Sequence, residues 1–471
     1  TATTEIYTLT LHDALPICKD TIKGKSERGV VKEESEIQVT YCVLRIACFV
    51  FTCVHVYVFT SLHVSLYTRP MGLTLESIYL LLFIATLVAI ATQRVHIPYT
   101  VGLVIAGIVV SFLPFTPEIE LSKDLIFTVL LPPLIFEATL FIRWRELMRN
   151  LPVILVFAIV GVILSAALTS AGMVYLAGWT WQTASLFGIL IAATDPVSVI
   201  ATFREAGVHG RLRLLVEAES LFNDAVAVVG FTVVVAFVSG EGISIQTTLL
   251  DASWSIVGGL LIGALCAGVA LFITSTTDDH LVELALSTVA AYGSFLIAHD
   301  FHASGVLSTL TTGILIGNFG LPRAYSDKGR AFIMDFWEFM AFIANSIIFF
   351  LIGVREASQN LWSALAVIVI AVIVVTLGRA LAIYPLSLLF HKSKLRIEMK
   401  HQHVLFWGGL RGALALALAL GLPEGIPFRE QIITAAFGVV AFSIFAQGLT
   451  MTPLLRRLGE VPSTSTPNQT E

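Results

Sequence analysis

The sequence has little charge and, after its first 53 residues, almost no cysteine. Charged residues make up only 13% of the 471 residues, about half the share found in soluble domains. Cys266 is the single cysteine beyond residue 53, so neither a disulfide framework nor a paired metal-ligand spacing can be built there. No basic patch with interleaved aromatics is present, which argues against a nucleic-acid partner.

The sequence motifs of common soluble enzymes are also missing. There is no HExxH zinc motif and no GxSxG nucleophile elbow. The glycine-rich residues 408–412 do not follow a strand, so they do not predict a phosphate-binding loop. We therefore expect no resident cofactor and do not predict an enzyme.

Hydrophobic residues are abundant and make up 56% of the sequence. Runs of about 17–25 apolar residues, the length that spans a bilayer, recur with short breaks from residue 71 onward. They predict an all-α polytopic membrane protein whose transmembrane domain covers residues 71–457. The thirteen predicted helices are 74–92, 98–114, 122–142, 151–177, 182–203, 212–239, 249–274, 283–301, 303–319, 332–354, 360–390, 404–421 and 431–456.

The positive residues give the predicted topology. With these helices, sixteen Lys and Arg residues fall in loops on one side, against three on the other, Lys123, Arg355 and Arg429. Cytoplasmic loops carry the excess of Lys and Arg. The amino end of the first helix is therefore expected outside and the carboxyl terminus in the cytoplasm.

The first 70 residues do not match the rest, because they hold four of the five cysteines and seven of the 28 Lys and Arg residues. Residues 5–17 look like translated adapter sequence, so we expect 1–70 to be a non-native or upstream-translated extension and Met71 the natural start. A transmembrane segment or signal peptide at 41–67 is the alternative. Residues 458–471 are predicted to be a short disordered cytoplasmic tail.

Residues 217–224 read Glu-Ala-Glu-Ser-Leu-Phe-Asn-Asp and run directly into an apolar stretch. A charge in the middle of a membrane helix costs about 2.5–3.5 kcal/mol, so such a group pairs, lines a cavity or binds an ion. Ser220 and Asp224 are four residues apart, as are Glu219 and Asn223, so each pair shares a helix face. These oxygen ligands predict a site for a hard cation such as sodium.

Residues 193–196 read Ala-Thr-Asp-Pro near the middle of the fifth predicted helix. Because proline lacks a donor and clashes with the preceding turn, we expect the helix to open there. Its freed carbonyls, the Thr194 hydroxyl and the Asp195 carboxylate would then be available to an ion. A proline kink satisfied by neighbouring helices is the alternative.

The twelfth predicted helix contains Gly-Gly-Leu-Arg-Gly at residues 408–412. With one helix between two six-helix units, helix 5 corresponds to helix 12 and runs in the opposite direction. Interrupted helices in corresponding positions of inverted halves mark a transporter's binding site. We predict two inverted six-helix repeats with crossed, interrupted helices 5 and 12, where Asp195 faces positive half-helix ends and Arg411 negative ones.

Three further ionisable residues, Glu137, Arg379 and Arg411, lie within predicted helices. Two prolines bend the third helix just before Glu137, which could therefore reach the same cavity, and a structural role for it is equally open. Arg379 and Arg411 are expected to neutralise buried acids as ion pairs between helices.

These motifs together resemble the sodium/proton exchanger (monovalent cation:proton antiporter) family in its bacterial form. The resemblance covers about residues 75–456. It rests on four motifs in this order, Thr194-Asp-Pro196, Glu219-Ser-Leu-Phe-Asn-Asp224, Gly378-Arg379 with Tyr384-Pro385, and Gly408-Gly-Leu-Arg-Gly412.

The resemblance implies a homodimer in a bacterial inner membrane, with a core bundle that moves against a dimerisation scaffold. It implies that Asp224 binds Na⁺ with Ser220 and Thr194, helped by Glu137. It further implies that Asp195 and Asn223 support the crossed half-helices and that Glu219 forms a salt bridge with Arg411. An Asn-Asp pair, as in Asn223-Asp224, usually goes with electroneutral exchange in this family.

We therefore expect one-for-one exchange of Na⁺, with Li⁺ also open, for H⁺ at one buried carboxylate. Burial disfavours the charged form of Asp224 and a bound cation favours it, so proton and sodium exclude one another. Exchanging one for the other leaves the moving charge unchanged. Potassium/proton exchange, a cation channel, and a membrane hydrolase using Asp195 and Asp224 are the alternatives.

Overall fold

The computed structural model describes residues 75–95, 98–112, 122–195, 199–200, 202–203, 207–238, 245–358 and 364–460. The predictions made for residues 1–70 and for the tail after residue 460 lie outside these ranges, as does Pro196.

Helices make up the regular structure of the described residues. Their bounds are α1 Leu75–Val95, α2 Tyr99–Ser111, α3 Leu125–Leu140, α4 Trp144–Ala177, α5a Trp181–Leu190, α6 Arg211–Val238, α7 Ile245–Thr274, α8 His280–Asp300, α9 Gly305–Gly320, α10 Asp327–Ser358, α11 Leu365–Leu389, α12a Met399–Trp407, α12b Ala413–Leu420 and α13 Arg429–Arg457. After α5a the chain is helical again at Val199, Ile200, Thr202 and Phe203.

The helices confirm the predicted fold class. Seven of those described are long and apolar enough to cross a membrane, and four shorter apolar helices accompany them. Together with the two interrupted helices, these described helices correspond to the thirteen predicted spans. Helix α7 has an exposed apolar face that suits contact with lipid, since Leu261 and Leu265 are 61% and 66% exposed. The chain is a polytopic membrane protein.

Helix α4 begins earlier than its predicted start at residue 151. The charged residues before that point favour a loop by composition, yet Trp144 already starts the helix. The Trp144 backbone N–H, which has no partner within the helix, donates to Asn318 Oδ1 of α9 at 2.7 Å. Asn318 Nδ2 in turn donates to the Ile142 carbonyl at 2.8 Å. A partner from a distant helix therefore caps this end, which local sequence does not reveal.

Four spans contain a π-helical turn, in α3, α4, α9 and α13. The turns are Leu125–Leu130, Val156–Gly161, Ile316–Gly320 and Ser443–Gly448. In α3 the turn ends two residues before Pro132, and the missing N–H groups of Pro132 and Pro133 cannot close regular helical bonds. The proline-containing helix predicted there is thus locally widened by a single π-turn, and such turns occur mostly inside α-helices.

The helices form two groups that pack mainly within themselves. One, which we call the bundle, contains α4, α5a, α6, α11, α12a, α12b and α13; the other, the scaffold, contains α1, α2, α3 and α7 to α10. In the scaffold, α2 and α10 approach through glycine, since a Cβ on Gly107 would clash with the Phe350 carbonyl and one on Gly353 with Val104. Small residues permit such close packing in membranes.

Candidate functional site

The two interrupted helices cross at their breaks. Residues 191–195 after α5a and residues 408–412 between α12a and α12b are not helical. The Asp195 backbone N–H donates to the Leu410 carbonyl at 2.8 Å. Each break therefore satisfies part of the other, which is how non-helical backbone is tolerated within a membrane protein.

Arg411 lies at the carboxyl end of α5a. Its Nη1 donates to the carbonyl oxygens of Ala192 and Ala193, at 2.5 Å and 3.1 Å, and the residue is only 3% exposed. These carbonyls have lost their helical partners, and the carboxyl end of a helix carries partial negative charge. The guanidinium therefore satisfies the broken end of α5a directly.

Asp195 lies at the amino end of α12b. A Cβ built on Gly412, the residue before that helix, would stand only 2.5 Å from the Asp195 Cβ and 2.8 Å from its Cγ. The amino end of a helix carries partial positive charge, so a carboxylate is favoured there. Glycine at 412 is what lets the carboxyl group approach so closely.

Four residues predicted from the sequence form one hydrogen-bonded group beside the crossing. Asn223 Nδ2 donates to Thr194 Oγ1 at 3.0 Å, and Thr194 Oγ1 donates to Ser220 Oγ at 3.0 Å. The Asp224 carboxylate accepts a bond from the Thr194 backbone N–H. The break after α5a is thus joined to the middle of α6.

Two oxygen atoms of this group have unused bonding capacity. Asp224 Oδ1 and Asn223 Oδ1 are buried, and neither accepts a hydrogen bond from a described residue. A buried carboxylate oxygen without a partner is costly. Carboxylate and amide oxygens are ligands of hard cations, so this arrangement suits either a proton on Asp224 or a small hard cation.

Glu219 pairs with Arg379, which corrects the predicted salt bridge to Arg411. Arg379 donates from Nη1 and Nη2 to the two Glu219 carboxylate oxygens, at 2.7 Å and 2.9 Å. This two-pronged geometry is the strong form of such a pair. Arg411 is occupied by the α5a carbonyls instead, because it lies in the break itself whereas Arg379 projects from α11.

The charges near the crossing do not balance. The Asp224 carboxylate lies within electrostatic reach of Asp195, Glu219 and Arg411, and Arg379 is bound to Glu219. Among the described residues named here, three carboxyl groups therefore meet two guanidinium groups. One further positive charge would neutralise it, and Asp224 is the member with a free oxygen.

A cavity of about 400 Å³ lies between the bundle and the scaffold. Thr194, Asp195 and Asp224 line it from the bundle, and Glu137 of α3 lines it from the scaffold. Ser220 lies behind Thr194, to which it is bonded. Glu219 and Arg379 form a separate buried pair.

Sequence reasoning missed several cavity residues. Glu217, to which the sequence assigns no role, lines the cavity, and its Oε2 lies 3.7 Å from Arg213 Nε. Glu338 and Asn345 line it from α10, and Tyr99 lines it from α2. Glu338 and Asn345 are seven residues apart, hence on one face of a helix, and this polar stripe in an apolar span was the available signal.

A bound transition metal does not suit the site. Among the described residues, no group of three or more His, Cys, Asp or Glu side chains is placed to hold a metal ion. The ligand atoms gathered at Thr194, Ser220, Asn223 and Asp224 are oxygens, apart from the Asn223 amide nitrogen. They fit a hard ion that enters and leaves.

Comparison with known proteins agrees with this geometry. The family "Sodium/hydrogen exchanger, transmembrane" matches residues 79–457. ApNhaP of Aphanothece halophytica, a Na(+)/H(+) antiporter, is 41% identical over 382 residues, covering 80% of this chain and 72% of that protein. NhaS1 of Synechocystis sp., a low-affinity Na(+)/H(+) antiporter, is 37% identical over 400 residues, covering 82% and 75%.

A solved structure has the same fold. The sodium proton antiporter MjNhaP1 from Methanocaldococcus jannaschii superimposes with a TM-score of 0.65 at 20% identity, covering 81% of this chain and 98% of that one. Together with the match over residues 79–457, the crossed helices and the carboxylate cluster, this shows that the chain belongs to the sodium/hydrogen exchanger family.

Proposed function

We propose that this protein exchanges Na⁺ for H⁺ across a membrane at Asp224. The observation that carries the proposal is the buried Asp224 Oδ1, which accepts no bond from a described residue in a cluster one positive charge short of balance. The relatives ApNhaP and NhaS1, named as Na(+)/H(+) antiporters, support this choice of ions.

The mechanism uses one carboxylate for two competing cargoes. With Na⁺ present, Asp224 supplies a charged oxygen, and Thr194, Ser220 and Asn223 supply neutral ones from the same hydrogen-bonded group. With H⁺ present, the carboxyl group is neutral. Each loaded form removes the excess negative charge, so either can cross, whereas the charged empty site is held back by its desolvation cost.

This scheme makes the exchange electroneutral. One Na⁺ replaces one H⁺ on the same group, so both crossing forms carry the same charge. Asn223 contributes an amide where a second acid would add a further titrating charge. The rate should therefore not respond to an imposed membrane potential, whereas a channel would pass current.

Movement of the bundle against the scaffold gives alternating access in this proposal. The cavity follows the boundary between these two groups, and the ligands all belong to the bundle. We further propose a homodimer in a bacterial inner membrane, with the carboxyl terminus cytoplasmic. The Lys and Arg distribution supports this orientation, in which Glu137 near the end of α3 and Glu217 near the start of α6 lie towards the cytoplasm.

The test is a pH-dye assay in proteoliposomes, with Na⁺, Li⁺ and K⁺ added in turn. We expect added Na⁺ to dissipate an imposed proton gradient, and we expect Asp224→Asn to abolish the resulting change in dye fluorescence. Asp251→Asn, on the exposed face of α7, is the matched control and should behave as wild type. Substantial Na⁺-dependent proton flux in Asp224→Asn would refute the assignment, and a response to K⁺ alone would make the protein a potassium/proton exchanger.

A further inference from the structure

A second, much smaller cavity lies between α11, α12 and α13. Its volume is about 10 Å³, which is close to the space that one water molecule requires. Its polar lining residues are Thr376, Arg379, Arg411, Ser443 and Gln447. A buried water typically makes two to four hydrogen bonds to polar groups, and this lining can provide them.

Arg379 lines this space and has an N–H group without a described acceptor. Its two Nη atoms donate to Glu219, and Nη2 also donates to the Leu405 carbonyl at 3.0 Å. Its Nε is buried and donates to no described residue. A Cβ built on Gly409, which also lines the cavity, would stand 2.6 Å from that Nε. The Nε–H therefore lies where an acceptor in the cavity can reach it.

The opposite wall is a π-helical turn. Ser443 and Gln447 both belong to the turn Ser443–Gly448 of α13, and they are 2% and 6% exposed. π-Turns are rare and are found frequently at functional sites. A glutamine amide both donates and accepts, and a serine hydroxyl does the same, so either can bond to a water.

We propose that this cavity binds one structural water, which accepts a hydrogen bond from Arg379 Nε and bonds to the side chains of Gln447 and Ser443. Gln447 is thereby a positioning residue for the crossed helices, although it does not touch the transported ion.

The route from this water to the ion site is short. Arg379 holds Glu219, which lies one turn before Asn223 on α6. Arg411, which also lines the small cavity, holds the carbonyls of Ala192 and Ala193 next to Thr194. Loosening Arg379 shifts the α6 ligands relative to Thr194, which Arg411 keeps in place, and that weakens binding of the cation.

A direct structural test is cryo-electron microscopy of the wild-type protein in nanodiscs, at a resolution that shows ordered water. We expect a density peak within about 3.2 Å of Arg379 Nε and in contact with the Gln447 side chain. Absence of the peak, or a protein acceptor on Arg379 Nε, would overturn the proposal. This measurement does not depend on which ion the protein carries.

The functional test rests on the proposed sodium/proton exchange. Gln447→Met keeps the side-chain length and removes its hydrogen bonds, so we expect the KM for Na⁺ to rise about fivefold, the effect of one hydrogen bond. Ser443→Ala should raise KM in the same direction, and the matched control Ser387→Ala should not. Ser387 is 2% exposed like Ser443 but bonds within α11, to the Ile383 carbonyl.

The kinetic result separates positioning from folding. A fall in the amount of folded protein, with KM unchanged in the folded fraction, would refute the positioning role of Gln447. If Gln447→Met does not fold, the wild-type density peak still tests the water site and the KM of Ser443→Ala still tests the positioning role. If wild type shows no Na⁺ exchange while the peak is present, the proposed function fails and the water site stands.

Discussion

The two walls of the large cavity are built in different ways. The bundle wall comes from interrupted helices, and its proposed ligand residues Thr194 and Asp224 are 1% and 8% exposed. The scaffold wall comes from continuous helices, and its polar residue Glu338 is exposed on a regular face of α10. Broken backbone thus gathers the groups proposed to hold an ion, whereas unbroken helices form the opposite wall of the cavity.

The scaffold wall is also held together by contacts of its own. Tyr99 of α2 stacks on Phe342 of α10 with ring centroids 5.3 Å apart, and its hydroxyl is 2.6 Å from Ser346 Oγ. These contacts bind the α2 and α10 residues that face the cavity. A wall fixed in this way fits the proposed movement, in which the scaffold stays in place and the bundle moves.

Breaking the buried ion pair of the bundle should have the largest effect on stability. Arg379→Met leaves Glu219 buried without its two-pronged partner, and removing one member of such a pair costs about 3–5 kcal/mol. We expect a large drop in folded yield and in the thermal unfolding midpoint, measured in detergent by size-exclusion chromatography. Glu219→Gln combined with Arg379→Met should recover part of the loss.

An exposed pair provides the control for this experiment. Arg143 Nη1 lies 3.2 Å from Glu146 Oε1, with side chains 80% and 45% exposed. Such surface pairs contribute about 0–1 kcal/mol, so Arg143→Met should scarcely change the unfolding midpoint. Equal losses in the two variants would show that burial does not distinguish the pairs.

A smaller effect is expected from filling the crossing point. Gly412→Ala places a methyl group against the Asp195 carboxyl group, and overpacking of this kind costs about 1–3 kcal/mol. We expect slower Na⁺-dependent proton flux per folded molecule in proteoliposomes.

Gly268→Ala is the matched control, because no described atom outside its own stretch of α7 backbone lies within 4 Å of a Cβ at that position. It should leave the flux unchanged, since alanine also favours the helix more than glycine does. If Gly412→Ala exchanged ions as fast as Gly268→Ala, close approach of Asp195 to α12b would not matter for transport.

The spacing of residues within one helix could predict much of the bundle wall. The four-residue separation of Ser220 and Asp224 placed both on one face of α6, and the proline and glycine motifs marked the two breaks. The spans themselves followed from apolar length. Each of these signals is local, so one sequence suffices to see it.

Contacts between distant segments could not be predicted in the same way. Glu219 and Arg379 are 160 residues apart, and charge counting allowed either arginine as the partner. The start of α4 at Trp144 depends on Asn318, which lies 174 residues away.

The smallest effect is expected on the scaffold wall, at Glu338. It lines the cavity and is exposed, so its charge attracts cations towards the site without holding one. Glu338→Gln should raise the apparent KM for Na⁺ about twofold at low ionic strength, and salt should remove the difference because exposed charges are screened.

Asp335 separates a local effect from a general one. It is exposed on the same helix, three residues before Glu338, and it does not line the cavity. Asp335→Asn removes the same charge, so it should leave KM unchanged if position at the cavity matters. Equal shifts in both variants would assign the attraction to the net charge of this end of α10. A shift in Glu338→Gln that survived high salt would instead make Glu338 a direct ligand and extend the ion site onto the scaffold.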